Sequence, residues 1–458
     1  MKGFLIAGTN SGIGKTTVSM GVMKVLSKYF EVSPFKVGPD YIDGKFHEYV
    51  TGNKSYNLDV FLMGEEGVKK SFLKHRKEFS VIEGVMGLYD GMNNSLDNGS
   101  SAHISRILNL PVVLVVDGVG KSTSIAAQVM GYQNFDKRVN IAGVIINKVS
   151  SEKTYEIFKE AIEKYCNVKC LGYIPKDEEI SLSSRHLGLL QAEEVENLNK
   201  KIKKLQELIE KTIDIDLLCK ICETKENIQI KIDEKENKIF TNKYAGIKMG
   251  IAKDSAFSFY YNDNIEFLEE LGIEIQYFSP TRDSEIPKDV DILYFGGGYP
   301  ENYCEELSRN ISMKKSIKDF YNKNGVIYGE CGGFIYLSKK FITVDGEEYD
   351  FAGITDVTVE MGKKLNIGRF GYINIEYERE GKIFHGKGHE FHYSKIKEEG
   401  SLSKGFKITK PDGRSWECGY FSKNLLCGYP HIHFFQSREI IFELLDRAVK
   451  YKEQKNNG

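Results

Sequence analysis

The chain has 458 residues, of which 41% are hydrophobic and 28% charged, and its formal net charge is −2. That length holds two or three domains, and the near-neutral balance excludes charge-driven binding to nucleic acid or a membrane surface. Its longest apolar runs, such as Pro111-Val112-Val113-Leu114-Val115-Val116, are of strand length and too short to span a bilayer. Met1-Lys2-Gly3-Phe4-Leu5-Ile6-Ala7-Gly8 reads as a buried strand rather than a signal peptide, whose apolar core is longer. Eight cysteines in so long a chain fit a reduced, cytoplasmic protein better than a disulfide framework.

From residue 1 to 190, strand, glycine-rich turn and helix alternate. Buried strands are predicted at 3–7, 32–36, 79–83, 112–117 and 141–147, and helices at 16–29 and 125–131. This alternation predicts an α/β domain with a parallel, doubly wound sheet, whose sites lie beyond the carboxyl ends of the strands. The first turn reads Gly8-Thr9-Asn10-Ser11-Gly12-Ile13-Gly14-Lys15-Thr16-Thr17. Between a strand and a helix, it predicts a phosphate-binding loop for ATP. Gly12 and Gly14 let the backbone amides approach phosphate, Lys15 neutralises it, and Thr16 offers its hydroxyl to Mg2+, with Thr17 in the same turn. The strict pattern needs glycine where Thr9 stands, and Gly8 lies one residue earlier. The Gly-Thr opening resembles the variant loop of the dethiobiotin synthetase family, which implies ATP-driven activation of a carboxylate-type group.

The second strand ends in Pro34-Phe35-Lys36-Val37-Gly38-Pro39-Asp40-Tyr41-Ile42-Asp43. Lys36, Asp40, Tyr41 and Asp43 together suit a metal and an anionic substrate, although aspartate in a Pro/Gly turn also serves the turn alone. The third strand ends in Glu83-Gly84-Val85-Met86-Gly87-Leu88-Tyr89-Asp90-Gly91. Glu83 occupies the usual place of a second Mg2+ anchor, and Asp90 is a substrate-side candidate. Asn147 closes the fifth strand, where a base-recognising amide would sit and where an ordinary polar residue also fits.

Residues 191–245 are charge-rich and predict a helix over 192–218 followed by a polar linker. Cys219-Lys220-Ile221-Cys222 lies here without a second pair to complete a zinc site. A second alternating pattern fills 246–445, and 446–458 reads as a disordered tail. The strand 325–328 leads into Gly329-Glu330-Cys331-Gly332-Gly333. Small neighbours around a cysteine at a strand-to-helix turn predict an exposed nucleophile, its thiol lowered by the helix end. The amides of Tyr294-Phe295-Gly296-Gly297-Gly298-Tyr299-Pro300-Glu301 are candidates for holding a tetrahedral oxyanion. The base should come from Tyr429-Pro430-His431-Ile432-His433-Phe434. On a strand both His431 and His433 face one side, and spacing from Tyr429 favours His431. Neither has a glutamate two residues on, so the third member of a triad is missing.

Three stretches carry a specific resemblance: 35–43, Asn57-Leu58-Asp59 and 83–91. With Arg185-His186-Leu187-Gly188-Leu189 and Gly388-His389-Glu390-Phe391-His392-Tyr393-Ser394, they resemble the cobyrinate a,c-diamide synthase family over nearly the whole chain. The resemblance implies a second, class I glutamine amidotransferase-like α/β domain working through a Cys-His pair. It implies ATP, Mg2+, glutamine and a corrinoid, with no nucleic-acid or membrane partner; a homodimer is one compatible assembly. The a and c acetate groups of a corrin ring would be amidated through an acyl phosphate, with ammonia shielded on its way from Cys331. Hydrogenobyrinate and nickel sirohydrochlorin are alternative rings, and cobyrate synthase a more distant alternative. A regulatory P-loop ATPase with a dead amidotransferase domain would lack the cysteine or the histidine. His389 and His392 would face the synthetase half or be structural.

Overall fold

Seven parallel strands build the first of two units, which span 1–231 and 232–458 in the computed structural model. The structure describes residues 2–180, 184–185, 188–189, 195, 197–223, 228 and 243–457. His186 and Leu187, quoted above for the resemblance, lie outside them. In chain order the first unit runs β1 (Lys2–Gly8), α1 (Lys15–Leu26), β2 (Val32–Val37), α2 (Ile42–Thr51), β3 (Tyr56–Leu58), α3 (Val60–His75), β4 (Phe79–Gly87), α4 (Ser101–Ile107), β5 (Val112–Asp117), α5 (Ser124–Phe135), β6 (Ile141–Val149), α6 (Glu152–Cys166) and β7 (Lys169–Pro175). The sheet order is β3-β2-β4-β1-β5-β6-β7. Every adjacent pair is parallel. The five expected strands are present, and β3 and β7 extend the sheet at its two edges. Strands such as β5 are apolar along their length because helices cover both faces. β1 lies between β4 and β5, so the phosphate loop opens where the winding reverses, the usual crevice for a ligand.

The helix predicted over 192–218 is two helices, α7 (Leu198–Thr212) and α8 (Ile215–Ile221). Ile213 between them is extended, and the Asp214 side chain caps α8 by accepting from the Leu217 amide. α7 buries Leu198, Ile202, Leu205 and Ile209, residues spaced on one helical face, in the first unit's core. Gly21 of α1 receives them: a Cβ there would lie 2.7 Å from Ile209 Cγ1 and 2.9 Å from Leu205 Cγ.

The second unit has a ten-stranded mixed sheet. Strands Glu274–Phe278, Lys248–Ala252, Ile292–Phe295, Val326–Glu330 and Leu425–Gly428 lie side by side and parallel. Ser415–Phe421, Ser403–Thr409, Gly371–Arg379, Lys382–Glu390 and His431–Ile432 continue it in antiparallel order. Leu425–Gly428 and His431–Ile432 stand fifth and tenth in this order, yet only Tyr429 and Pro430 separate them. The antiparallel half therefore curls back on itself.

The stretch read as a disordered tail at 446–458 is instead helical through Asn457, in the helix Arg438–Asn457. Leu444, Leu445 and Ala448 bury into the unit's core. Lys452 donates to the Gly246 carbonyl, Lys455 pairs with Asp291 at 2.9 Å, and Tyr451 meets Phe320 edge-on. These lysines thus tie the helix to residues far back in the chain.

Candidate active sites

The first site forms where β1, β2 and β4 end. Gly12 (φ 74°) and Gly14 (φ 97°) take the left-handed backbone that only glycine adopts at little cost, which turns the loop into α1. Lys15 Nζ donates to the carbonyls of Met86 (2.5 Å) and Asn10 (3.3 Å), so the loop lysine already lies over the phosphate cradle. Thr16 Oγ1 donates to Glu83 Oε1 at 2.7 Å. Lys36 Nζ pairs with Asp43 at 2.6 Å and Glu83 at 3.1 Å. The structure thus brings Lys15, Thr16, Lys36, Asp43 and Glu83 together, with Thr17 following in the first turn of α1.

The remaining candidates surround this group. Asp40 Oδ1 accepts from the amides of Ile42 and Asp43 and so starts α2, with Tyr41 as its N-cap. Asp90 Oδ2 accepts from the Gly87 amide at 2.8 Å. Asn147 Nδ2 donates to Ile13 O at 2.8 Å, and a Cβ on Gly14 would fall 2.2 Å from it. Its amide braces the phosphate loop.

Burial and then the like charge of Lys36 lower the Lys15 ammonium to about 8. Burial and the neighbouring Asp40 raise Asp43 to about 8, against the pull of Lys36. Burial would raise Glu83 too, but Lys36, His47 and Thr16 together hold its carboxyl well below the usual range. Two buried carboxylates gathered around one ammonium are a place built for positive charge. Among the described residues no three His, Cys, Asp or Glu side chains could hold a metal by themselves. Mg2+ does not need three: one or two carboxylates and a hydroxyl suffice when phosphate oxygens and water complete its shell. Thr16, Asp43 and Glu83 fit that donor set.

The second site is built on the strand Val326–Glu330. Cys331 follows it at φ 44° and ψ −101°, a strained conformation typical of a nucleophile forced out of a strand-to-helix turn. Its amide is held by the Gly428 carbonyl at 2.7 Å. The turn requires glycine at the first two positions of the helix it enters. A Cβ on Gly332 would lie 2.9 Å from Gly298 N, and one on Gly333 2.1 Å from Phe295 O. The expected lowering of the thiol does not hold in this free site. Burial and then the charge of Glu301 push it above its ordinary range and outweigh the Gly332 amide.

His431 and His433 do not share one strand face. The strand ends at Ile432, because Asn264 bridges the Ile432 carbonyl and the Phe434 amide at 2.8 Å each. His431 stacks on His389 at 4.9 Å. A Cβ on Gly297 would fall 2.3 Å from its Cε1. Since Gly298 abuts Gly332, the short strand Gly297–Gly298 touches both the cysteine elbow and the His431 ring. His433 instead begins a short 3-10 turn, its Nδ1 accepting from the Phe435 amide at 3.4 Å, with Tyr261 at 5.0 Å from its ring. Burial keeps both imidazoles neutral, lowering His433 to about 4 and His431 well below its usual value, the latter helped by His389 and His392. His392 stacks on Tyr429 at 3.7 Å and bonds the Ser394 carbonyl and Glu390.

Sequence reasoning missed two buried groups. His47 is fully buried with Nε2 2.7 Å from Glu83 Oε2; a carboxylate only accepts, so Nε2 carries the proton. Glu330, 2% exposed, accepts from Tyr328 at 2.6 Å, Tyr294 at 3.1 Å and the Ile432 amide at 3.3 Å. A histidine within a helix and an acid beside the nucleophile were the only signals, and neither names a partner. All eight cysteines are free, including Cys219 and Cys222.

Residues 4–190 match the CobQ/CobB/MinD/ParA nucleotide binding domain, and residues 248–439 the CobB/CobQ-like glutamine amidotransferase domain. The cobyrinate a,c-diamide synthase of Fusobacterium nucleatum is 56% identical over 97% of this chain and 100% of its own length. The chain belongs to the cobyrinate a,c-diamide synthase family. Family members from Caldanaerobacter subterraneus and Clostridium tetani are each 45% identical over 98% of the chain, covering 98% and 100% of their own lengths. In this family's terms, the first unit is the nucleotide-binding half and the second the glutamine amidotransferase half.

Proposed function

We propose that this chain converts cobyrinate to its a,c-diamide, using ATP and glutamine. What carries the reading is the presence of two complete sets of side chains on one chain of this family: Lys15, Thr16, Lys36, Asp43 and Glu83 around the phosphate loop, and Cys331 with His431 at the elbow.

The a and c acetate groups are carboxylates, and ammonia does not displace hydroxide from a carboxylate under mild conditions. Phosphoryl transfer from ATP makes an acyl phosphate, which ammonia attacks with loss of phosphate. Lys15 and the loop amides, with Gly12 and Gly14, hold the polyphosphate, and Thr17 and Asn147 complete the cradle. Thr16, Asp43 and Glu83 would hold Mg2+, which supplies charge neutralisation on the phosphates. Lys36, Asp40, Tyr41 and Asp90 orient the carboxylate side chain of the ring.

At the elbow, His431 takes the thiol proton as Cys331 attacks the glutamine amide. The Gly297–Gly298 strand offers amides to the oxyanion, and the proton passes to departing ammonia. Water then cleaves the thioester to glutamate. We assign the base to His431 and a capping role to His433, on the contact of the Gly297–Gly298 strand with both the elbow and the His431 ring. The enzyme acts in the cytoplasm, where ATP and glutamine are abundant, and no helix among the described residues is long and apolar enough to cross a membrane.

The test is amidation by the purified protein with Mg2+, ATP and glutamine, offering cobyrinate, hydrogenobyrinate and nickel sirohydrochlorin in parallel, products read by mass. Cobyrinate gaining two amides supports the reading. Preference for another ring replaces the substrate, and ATP hydrolysis without amidation of any ring refutes it.

A further inference from the structure

We propose that Glu330 is the positioning carboxylate of the glutamine-hydrolysing site, the group that orients the His431 imidazole and balances the proton it takes from Cys331. The inference rests on the assignment of His431 as the base. No acid follows either histidine at the spacing of a Cys-His-Glu triad, since those places hold His433 and Phe435. The fold supplies one from the other side of the site. Glu330 Oε2 lies 4.0 Å from His431 Nδ1, and the two side chains are 2% and 3% exposed.

Glu330 is held on three sides. Tyr328, two residues earlier on its own strand, and Tyr294, from the neighbouring strand, donate their hydroxyls to it. The Ile432 amide, one residue beyond the histidine, donates as well. The carboxylate therefore ties the nucleophile strand to the backbone carrying the base. Tying the strand to the Ile432 backbone does not by itself require an acid, because a glutamine carbonyl would accept the Tyr328 and Ile432 bonds made at Oε1, losing only the Tyr294 bond at Oε2. The burial of an ionisable group here is costly: it raises the carboxyl to about 7 even though all three donors favour the charged form. That cost is explained if the charge is used when His431 becomes imidazolium.

The proton balance is simple. Cys331 loses its proton to His431 as the carbon–sulfur bond forms. The imidazolium then faces ionised Glu330 until the proton leaves with ammonia. The titratable groups against Glu330 are Tyr260, Tyr294, Tyr328 and Cys331; those against His431 are His389 and His392, and Glu301 and Glu390 act on the thiol by charge. All three tyrosines are held well above their usual range and His389 is lowered to about 3, all by burial first, so none of these four changes charge near neutrality.

The experiment measures glutaminase kcat and KM against pH for the full-length wild type, Glu330→Gln, Tyr328→Phe and His431→Ala, with ammonia-driven amidation of cobyrinate as the control for folding. Wild-type activity should fall as pH drops through about 7, where Glu330 is protonated. Glu330→Gln should lose kcat by about 10²-fold with little change in KM, lose that acid limb, and keep the ammonia-driven reaction. Tyr328→Phe removes a bond that favours the carboxylate, so its acid limb should move to higher pH; this arm decides if the glutamine variant does not fold. Wild-type kcat and an unchanged acid limb in Glu330→Gln, or an unmoved limb in Tyr328→Phe, overturn the proposal. Retained glutaminase in His431→Ala overturns the base assignment instead.

Discussion

Cys331 combines a strained backbone, a buried thiol and a neutral histidine partner, so its proton must move when glutamine arrives rather than beforehand. Cys331→Ala should abolish glutamine-dependent amidation, by about 10⁴-fold or more, and leave ammonia-dependent amidation intact; loss of both would show that the variant is damaged elsewhere. His431→Ala should behave in the same way. His433→Ala should keep most of kcat but unfold more easily, by about 1–2 kcal/mol for a lost cap, read by denaturant titration. At the other site, Lys15 loses its charge as pH rises through about 8. ATP affinity measured by calorimetry should therefore weaken across that range, and Lys15→Arg should flatten the dependence; a flat wild-type profile would rule it out. Both sites were legible wherever chemistry and local turn coincide, as in Gly12 to Thr16 and Gly329 to Gly333. His47 and Glu330 were not, because their meaning lies in distant partners: His47 and Glu83 are 36 residues apart, Glu330 and Ile432 102.

At the level of elements, hydrophobic period identified β1, β2, β4, β5 and β6, since strands buried on both faces read as apolar runs. The break between α7 and α8 was invisible because it is imposed from outside. Gly172 of β7, at φ 142°, comes so close to the Thr212 carbonyl that a Cβ would sit 2.0 Å from it. Gly172→Ala should thus destabilise the first unit although it adds one methyl. Ile209→Ala, which empties the α7 contact with Gly21, should cost about 2–5 kcal/mol. Thermal unfolding of each variant, followed with and without ATP, checks both. The disordered tail expected at 446–458 fails for a related reason: the bonds of Lys452 and Lys455 to Gly246 and Asp291 join the helix to residues far back in the chain.

Over the whole molecule, each unit closes its own apolar core. Scanning calorimetry should resolve two transitions. ATP at a hundred times its Kd should stabilise the first by about 2.7 kcal/mol, and a glutamine analogue should move the second. One transition shifted by both ligands would refute this. Chain order has a further consequence for how the protein is made. The nucleotide half has all its strands and the packed helices α7 and α8 by residue 223. The second half cannot seal until the helix Arg438–Asn457 arrives to cover strands made some two hundred residues earlier, and His431 comes only just before it. During synthesis, then, Cys331 exists for a time without a base. The half that consumes ammonia is therefore in place before the half that releases it can hydrolyse glutamine.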